Sequence, residues 1–507
     1  MNKKPNIVLI TTDQMRANAI GYINSKVITP NLDMMAKEGV VFTNSFCSSP
    51  VCTPSRAGIF TGRYPMNTGA WNIGTCLDEN EITLADWLKG EGYYNIGVGK
   101  MHFRPQLKDF DNNYEDVEVR DRVRERDKTY YGFDETYITE DDKQGKYLDF
   151  LDENGYHLEV GKGNDGMNPL PEEFNQTYWI GMKSCEAIRK YDFNKPLFMM
   201  TNFVDPHHPF DPAEKFARMY DGVEIDSPIS KDKFCNERPE YLKRQGERGY
   251  WPGGGEQHKL SDEKVEEYTR YYYAMITFID QEIGKIRKEL EKKGELDNTI
   301  IIFTSDHGEY MGDYGLLQKG PFMYDNLIKV PLLFWGKGVE KSVTSDEIVE
   351  NIDIVPTILE LIGKEVPYGI QGESLKNIIQ KIEKKIKIIQ NNLKLIKKKV
   401  PYGIKGESLK KNIKKIDKER VKKSAIVTYD ARDRGIMVKS YRDKRYKLNL
   451  FMNEEYGEMY DLEVDPQETT NLFFKEEYLQ LKNELLLKAC YRMMECSDPL
   501  SKRTANW

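Results

Sequence analysis

The sequence predicts an α/β fold: a large mixed, mostly parallel sheet sandwiched by helices, followed by a small C-terminal antiparallel sheet with a helix. Three observations carry this prediction. Short apolar runs with polar residues at the exit recur along the chain, as in strands buried on both faces of a parallel sheet. Amphipathic helical patterns lie between them. After about residue 425 the texture changes to short strand-like runs joined by turns.

The first strand is expected at 6–12 (NIVLITT), leading into Asp13-Gln14. A helix follows at 31–38, entered through Thr29-Pro30 and ended by Gly39. Residues 84–89 predict a second helix that ends at Gly90. Strands at 94–99, 196–203 and 299–304 exit into Lys100 and His102, into Asp205-Pro206-His207-His208, and into Asp306-His307-Gly308. Val265, Tyr268, Tyr272, Met275, Ile276, Ile279, Ile283, Ile286 and Leu290 mark a long amphipathic helix ending near Gly294. Short strands are expected at 426–429, 435–440, 446–451 and 458–460, then a helix at 475–495. The expected organisation is a catalytic domain over 1–425 and a small α+β subdomain over 426–507.

A length of 507 residues suits one large domain with a smaller one. Lys+Arg is 75 against Asp+Glu 82, a net charge of −7, which argues against a nucleic-acid binder. No run of about 18 apolar residues predicts a membrane span. The apolar stretch at 7–10 is too short for a signal-peptide core. With seven cysteines, an odd count, the expected compartment is a reducing cytoplasm.

The charge is unevenly spread. Residues 383–423 hold fifteen Lys and one Arg against four acids, a local +12, which leaves −19 for the rest. This stretch includes a repeat: 366–382 matches 400–416 at thirteen of seventeen positions. One repeated pair is too few for a solenoid. A local duplication is the better account, with one copy in the original place and the other a surface insertion. A solvated Lys/Ile-rich segment is preferred over a polyanion or membrane-surface patch.

Nearly every chemically loaded residue follows a predicted strand, the edge where open α/β sheets bind ligands. Asp13, Gln14, Asp306 and His307 together offer an oxygen-rich divalent-cation site. Any one of them alone would read as a strand-end cap. Cys52 precedes Pro54, which suits the first turn of a helix, with Arg56 one turn on. A helix N-terminus favours anions and lowers a thiol pKa. A lone cysteine there would read as a small buried thiol; Cys47, Cys76, Cys185, Cys235, Cys490 and Cys496 carry no motif and read as structural thiols. His157 and His258 fall in polar loops and read as solvated.

Cys52-Thr53-Pro54-Ser55-Arg56 followed by Thr61-Gly62-Arg63 resembles the signature of the formylglycine-dependent sulfatases, within the alkaline phosphatase superfamily. Asp13-Gln14, Gly99-Lys100-Met101-His102, Pro206-His207-His208-Pro209, Ser305-Asp306-His307-Gly308-Glu309 and Lys319-Gly320 resemble further family motifs in the family's order. Later landmarks resemble Asp353-Ile354-Val355-Pro356-Thr357 and Tyr460-Asp461-Leu462. The resemblance implies an alkaline phosphatase-like fold and hydrolysis of a small-molecule or carbohydrate sulfate ester. It implies a maturase that oxidises Cys52 to formylglycine, whose hydrate attacks sulfur with one hydroxyl and expels sulfate with the other.

By the same resemblance, Asp13, Gln14, Asp306 and His307 bind one divalent ion with residue 52. Ca2+ is the expected ion, with Mn2+ or Mg2+ as alternatives. Arg56, Lys100 and Lys319 would neutralise sulfate oxygens, His102 would assist elimination and His207 would protonate the leaving oxygen. Asn72 and His208 are candidate substrate contacts. Many members place Asp where this chain has Gln14 and Asn where it has His307. The Gln/His pair and Gly-Lys-Met-His-Phe resemble the choline-sulfatase and phosphonate monoester hydrolase branches. Phosphonate monoester or phosphodiester hydrolysis is therefore the alternative activity, and a non-catalytic binding protein the third.

Overall fold

The computed structural model describes residues 3–104, 130–143, 145–157, 166–233, 238–248, 260–380 and 422–499. The large sheet has eight strands: β1 (Asn6–Thr12), β2 (Val40–Phe46), β3 (Tyr94–Gly99), β4 (Glu135–Ile138), β5 (Leu197–Asn202), β6 (Thr299–Ser305), β7 (Leu332–Gly336) and β8 (Val343–Glu350). Their spatial order is β4-β3-β5-β1-β6-β7-β2-β8. From β4 to β6 every pairing is parallel. β7 runs antiparallel to both neighbours, and β8 pairs parallel with β2.

Both faces of this sheet are covered. On β1, Val8 and Ile10 join one apolar cluster while Ile7 and Leu9 join another. That two-sided burial is why the strand reads as a continuous apolar run. The helix Asp262–Lys292 begins at Ser261, whose hydroxyl accepts the Lys264 N–H at 3.3 Å. It packs Tyr272, Met275, Ile276, Ile279, Ile283 and Ile286 onto the Val8 side. Helices Cys52–Thr61 and Ile354–Leu361 cover the other side through Ala57, Ile59, Phe60, Ile354, Val355 and Ile358.

Four central strands lie within a residue of their expected bounds. β2, β4, β7 and β8 were not anticipated. β2 and β8 mix Thr, Asn, Ser, Asp and Glu among their apolar residues, so neither forms a clean run. The helix Gln176–Lys190 was also unread.

The C-terminal region builds a second sheet of β9 (Ala425–Ala431), β10 (Ile436–Arg442), β11 (Tyr446–Phe451) and β12 (Gly457–Asp461), all antiparallel, in the order β12-β11-β10-β9. The helix Leu479–Glu495 packs Leu485 and Ala489 with Ile426, Leu448 and Met459, and with Tyr64 and Ile352 from the large unit. A buried ionic network ties these layers. Glu350, at the end of β8, accepts from Arg492 at 2.9 Å, from Tyr64 at 2.8 Å and from the Ile426 N–H at 2.9 Å. Lys422 lies 2.7 Å from both Glu350 and Asp353. Glu350→Ala would leave two buried cations short of their counter-charge. We expect it to lower the urea-unfolding midpoint, with a loss of about 3–5 kcal/mol; a midpoint equal to wild type would contradict this.

The first repeat copy fills a place in the fold. The Gln371 and Gly372 N–H groups donate to the Gly62 carbonyl at 2.9 and 3.0 Å. A Cβ on Gly372 would stand 2.0 Å from the Ile352 oxygen, so glycine is required there. The basic stretch across 381–421, the second copy at 400–416, Cys235 and His258 lie outside the described residues. Among the described residues, no helix is long and apolar enough to cross a membrane.

Candidate active site

Parallel neighbours β3, β5, β1 and β6 end on one edge and deliver Lys100, His207, Asp13-Gln14 and Asp306-His307 to it. Gly99 makes the exit from β3 possible: at φ +89° its missing Cβ would lie 1.9 Å from the Asn202 oxygen. Cys52 is the first residue of the buried helix after β2, with Val51 capping it.

Asp13, Cys52, Asp306 and His307 each offer a ligand atom, and these atoms lie within 4.8 Å of one another. Cys52 Sγ is 3.3 Å from His307 Nε2, 3.6 Å from Asp13 Oδ1 and 2.8 Å from Lys319 Nζ. The His307 Nδ1–H donates to the Gly308 carbonyl at 2.8 Å, which leaves the Nε2 lone pair facing the cluster. The backbone N–H of Gln14 donates to Asp306 Oδ1 at 3.0 Å. Its side-chain amide donates to Glu309 Oε2, and its Oε1 is buried with no hydrogen-bond partner among the described residues. Two carboxylates, an unpartnered amide oxygen and an imidazole nitrogen form a donor set that fits a hard divalent ion.

Three cations surround these acids. Lys100 Nζ lies 2.6 Å from Asp13 Oδ2 and also meets Asp141. Lys319 Nζ touches Cys52 Sγ, donates to His207 Nε2 at 3.1 Å and lies 3.5 Å from His307 Nε2. Arg56, expected against sulfate oxygens, instead donates from Nε to Asp306 at 2.8 Å, from Nη1 to the Lys100 carbonyl at 2.8 Å and from Nη2 to Asp13 at 3.2 Å. It braces both carboxylates.

Burial would raise the Asp13 carboxyl, but the charges of Lys100, Lys319 and Arg56 outweigh it and hold it well below the usual range. Burial and the charge on Asp13 push Asp306 up to about 7. Burial also pushes the Cys52 thiol up to about 12, with Asp13 adding to it. The helix N-terminus does not overcome these effects, so the expected lowering of the thiol pKa is not found. The native thiol is neutral and a poor nucleophile at physiological pH.

The histidines are held neutral in the same way. Burial is the main cause for His307 and His207, both well below the ordinary value, and for His102 and His208, both near 3. For His102, ordinary value 6.5, the unfolded chain takes up a proton below that pH that the folded chain refuses. Stability from this group is full above about pH 6.5 and falls as pH drops, by about 2 kcal/mol at pH 5. His102→Gln should shrink the fall in urea midpoint between pH 7 and pH 5; an unchanged fall would contradict the assignment.

Of the remaining candidates, His102 lies 3.9 Å from Asp141, which also meets Lys100. His208 stacks on His207 with centroids 3.9 Å apart and faces Gln14 Nε2 at 3.4 Å. Asn72 Oδ1 accepts the Ile73 N–H within its own loop at 2.8 Å. His157 is exposed beside Asp152. Three residues went unassigned in the sequence. Glu309 lay inside a recognised motif without a role. Glu140 accepts the Met101 and His102 N–H groups at 3.1 and 2.8 Å, and Asp141 meets Lys100. Both follow β4, a half-buried strand of four residues with no apolar run to reveal it.

The fold and the buried cluster define the class: a hydrolase that takes an oxyanion ester at the carboxyl edge of a parallel sheet. The family model described as Sulfatase matches residues 5–364, and one described as N-sulphoglucosamine sulphohydrolase, C-terminal, matches 379–492. The chain belongs to the sulfatase family and is a sulfuric ester hydrolase. It is 32% identical to an arylsulfatase of Clostridium perfringens over 75% of this chain and 79% of that one. It is 26% identical to an N-acetylglucosamine-6-O-sulfatase of Bacteroides thetaiotaomicron over 99% and 89%. The solved phosphonate monoester hydrolase of Agrobacterium radiobacter has the same fold, with a TM-score of 0.77 at 24% identity, covering 98% of this chain and 96% of that one.

Proposed function

We propose that the chain releases sulfate from a sulfated carbohydrate or small-molecule ester, using formylglycine made from Cys52 by a maturase and one divalent ion. The observation that carries this is the convergence of Asp13, Asp306, His307 and Lys319 on the buried Sγ of Cys52. That sulfur stands where the reactive oxygen of the modified residue would be. Asp13, Gln14, Asp306 and His307 would hold the ion; their mostly oxygen donors suit Ca2+, with Mn2+ or Mg2+ as alternatives. Together the two groups would supply a nucleophilic hydroxyl and Lewis-acid stabilisation.

The chain's own residues do the rest. Lys100 and Lys319 offer fixed ammonium groups to the anionic oxygens as charge shifts in the transition state. Arg56 orients both carboxylates, and its charge opposes the burial that raises them. His207 takes the leaving-oxygen proton role: its Nδ1–H is held by the His208 carbonyl at 2.5 Å, so Nε2 faces the reaction. Lys319 donates a hydrogen bond to that nitrogen at 3.1 Å and so orients the ring. His102, held by Glu140, assists the elimination of sulfate. His208 and Asn72 are assigned to substrate contact. The catalytic unit spans 1–425 and the small unit 426–507. A cytoplasmic location belongs to the same reading, supported by free thiols at Cys47, Cys185, Cys490 and Cys496.

A carbohydrate substrate is favoured because the likeness to the N-acetylglucosamine-6-O-sulfatase extends over 99% of this chain, C-terminal region included. Phosphonate monoester or phosphodiester hydrolysis is the second reading, favoured by the Gln14/His307 pair. Matured enzyme should release more sulfate from glucosamine 6-sulfate than from aryl sulfate or choline sulfate, and should turn over aryl phosphonate more slowly. Turnover of the phosphonate alone would overturn the sulfatase reading in favour of the second.

A further inference from the structure

We infer that Glu309 is a positioning residue that sets which end of the Gln14 amide faces the metal site and fixes that choice to the Lys319 loop. The inference rests on the metal site proposed above. Glu309 is fully buried, and its two oxygens have different tasks. Oε1 accepts the Met311 N–H at 2.9 Å and the Gln318 N–H, so it anchors the loop immediately before Lys319. Oε2 accepts a hydrogen bond from the Gln14 Nε2–H. An amide whose nitrogen donates to a carboxylate has to turn its oxygen the other way. Gln14 Oε1 is the buried oxygen without a hydrogen-bond partner among the described residues. His208 Nδ1 lies 3.4 Å from the same Nε2 and is a second acceptor there in the tautomer protonated at the other ring nitrogen. Gln14 also stands at φ 67°, so its backbone is held in a strained region that limits where the side chain can go. One carboxylate thus orients an oxygen donor and anchors the segment that carries the ammonium at Cys52.

This predicts an exchange of roles. In Glu309→Gln the remaining oxygen can still hold the Met311 and Gln318 N–H groups, but the new amide nitrogen is a donor where an acceptor is needed. Gln14 would flip and present its N–H2 to the cation. Gln14→Glu restores the match in the double variant: one carboxylate oxygen accepts from the new amide and the other faces the ion. Gln14→Glu alone sets two carboxylates against each other. A residue that merely supported the fold would show no such reciprocity.

The test is isothermal titration calorimetry of metal-free full-length protein with Ca2+, with thermal unfolding of each metal-free variant as a control. The account expects Glu309→Gln to weaken Ca2+ at least about tenfold. The double variant should recover to within about threefold of wild type and bind more tightly than Gln14→Glu alone. Wild-type affinity in Glu309→Gln, or a double variant no tighter than the weaker single, overturns the inference. If Glu309→Gln does not fold, the comparison of Gln14→Glu with the double variant still decides. Wild-type protein that binds none of Ca2+, Mn2+ or Mg2+ overturns the metal site itself and this inference with it.

Discussion

Cys52→Ala is expected to abolish sulfate release, lowering kcat by more than about 10⁴-fold, because it removes the nucleophile rather than one of its helpers. The side chain is completely buried, and alanine removes only Sγ, so the helix start and the surrounding acids and cations stay in place. Stability should change by about 1 kcal/mol or less, within the ordinary range for so small a deletion. The unmodified thiol is no substitute nucleophile, since burial and Asp13 push it up to about 12. Sulfate released into solution, measured by ion chromatography, checks the expectation. Turnover within tenfold of wild type would contradict a nucleophile at residue 52.

Lys319→Ala is the second large effect. Its Nζ is the common neighbour of Cys52 Sγ at 2.8 Å, His207 Nε2 at 3.1 Å and His307 Nε2 at 3.5 Å. Removing it takes away a charge aimed at the reacting centre and the hydrogen bond that orients His207. A loss of about 10²–10³-fold in kcat is expected, the scale of one lost oxyanion-stabilising donor. Asp13 also loses one of the cations that keep it ionised, so its carboxyl moves back toward the ordinary range. Steady-state kinetics on one ester decide the point. An interaction made chiefly in the transition state lowers kcat and kcat/KM together, whereas a raised KM with unchanged kcat would reduce Lys319 to a ground-state anchor.

Much of this site was legible in the sequence for a physical reason. Strands buried on both faces must be apolar throughout, so β1, β3, β5 and β6 stand out, and their polar exits mark the edge where Asp13, Lys100, His207 and Asp306 meet. What was less legible depends on three-dimensional pairing. Arg56 was expected to face the substrate; only the structure reveals it between Asp13 and Asp306. A helix N-terminus alone suggests an acidic thiol, and only the depth of burial reverses that for Cys52. Glu140 and Asp141 follow a strand of four half-buried residues, so nothing in the local pattern connects them to Lys100. The basic repeat shows the opposite limit: the pattern is plain in the sequence, and the structure accounts for the copy that packs beside Gly62 and Ile352.

The central claim is that the modified form of Cys52 performs the reaction. Preparations made with graded amounts of maturase can be digested, and the fraction of formylglycine at residue 52 measured by mass spectrometry beside the rate of sulfate release. The account predicts a rate proportional to that fraction and vanishing with it. A rate independent of the modified fraction, or full activity in protein carrying only cysteine at position 52, would contradict it.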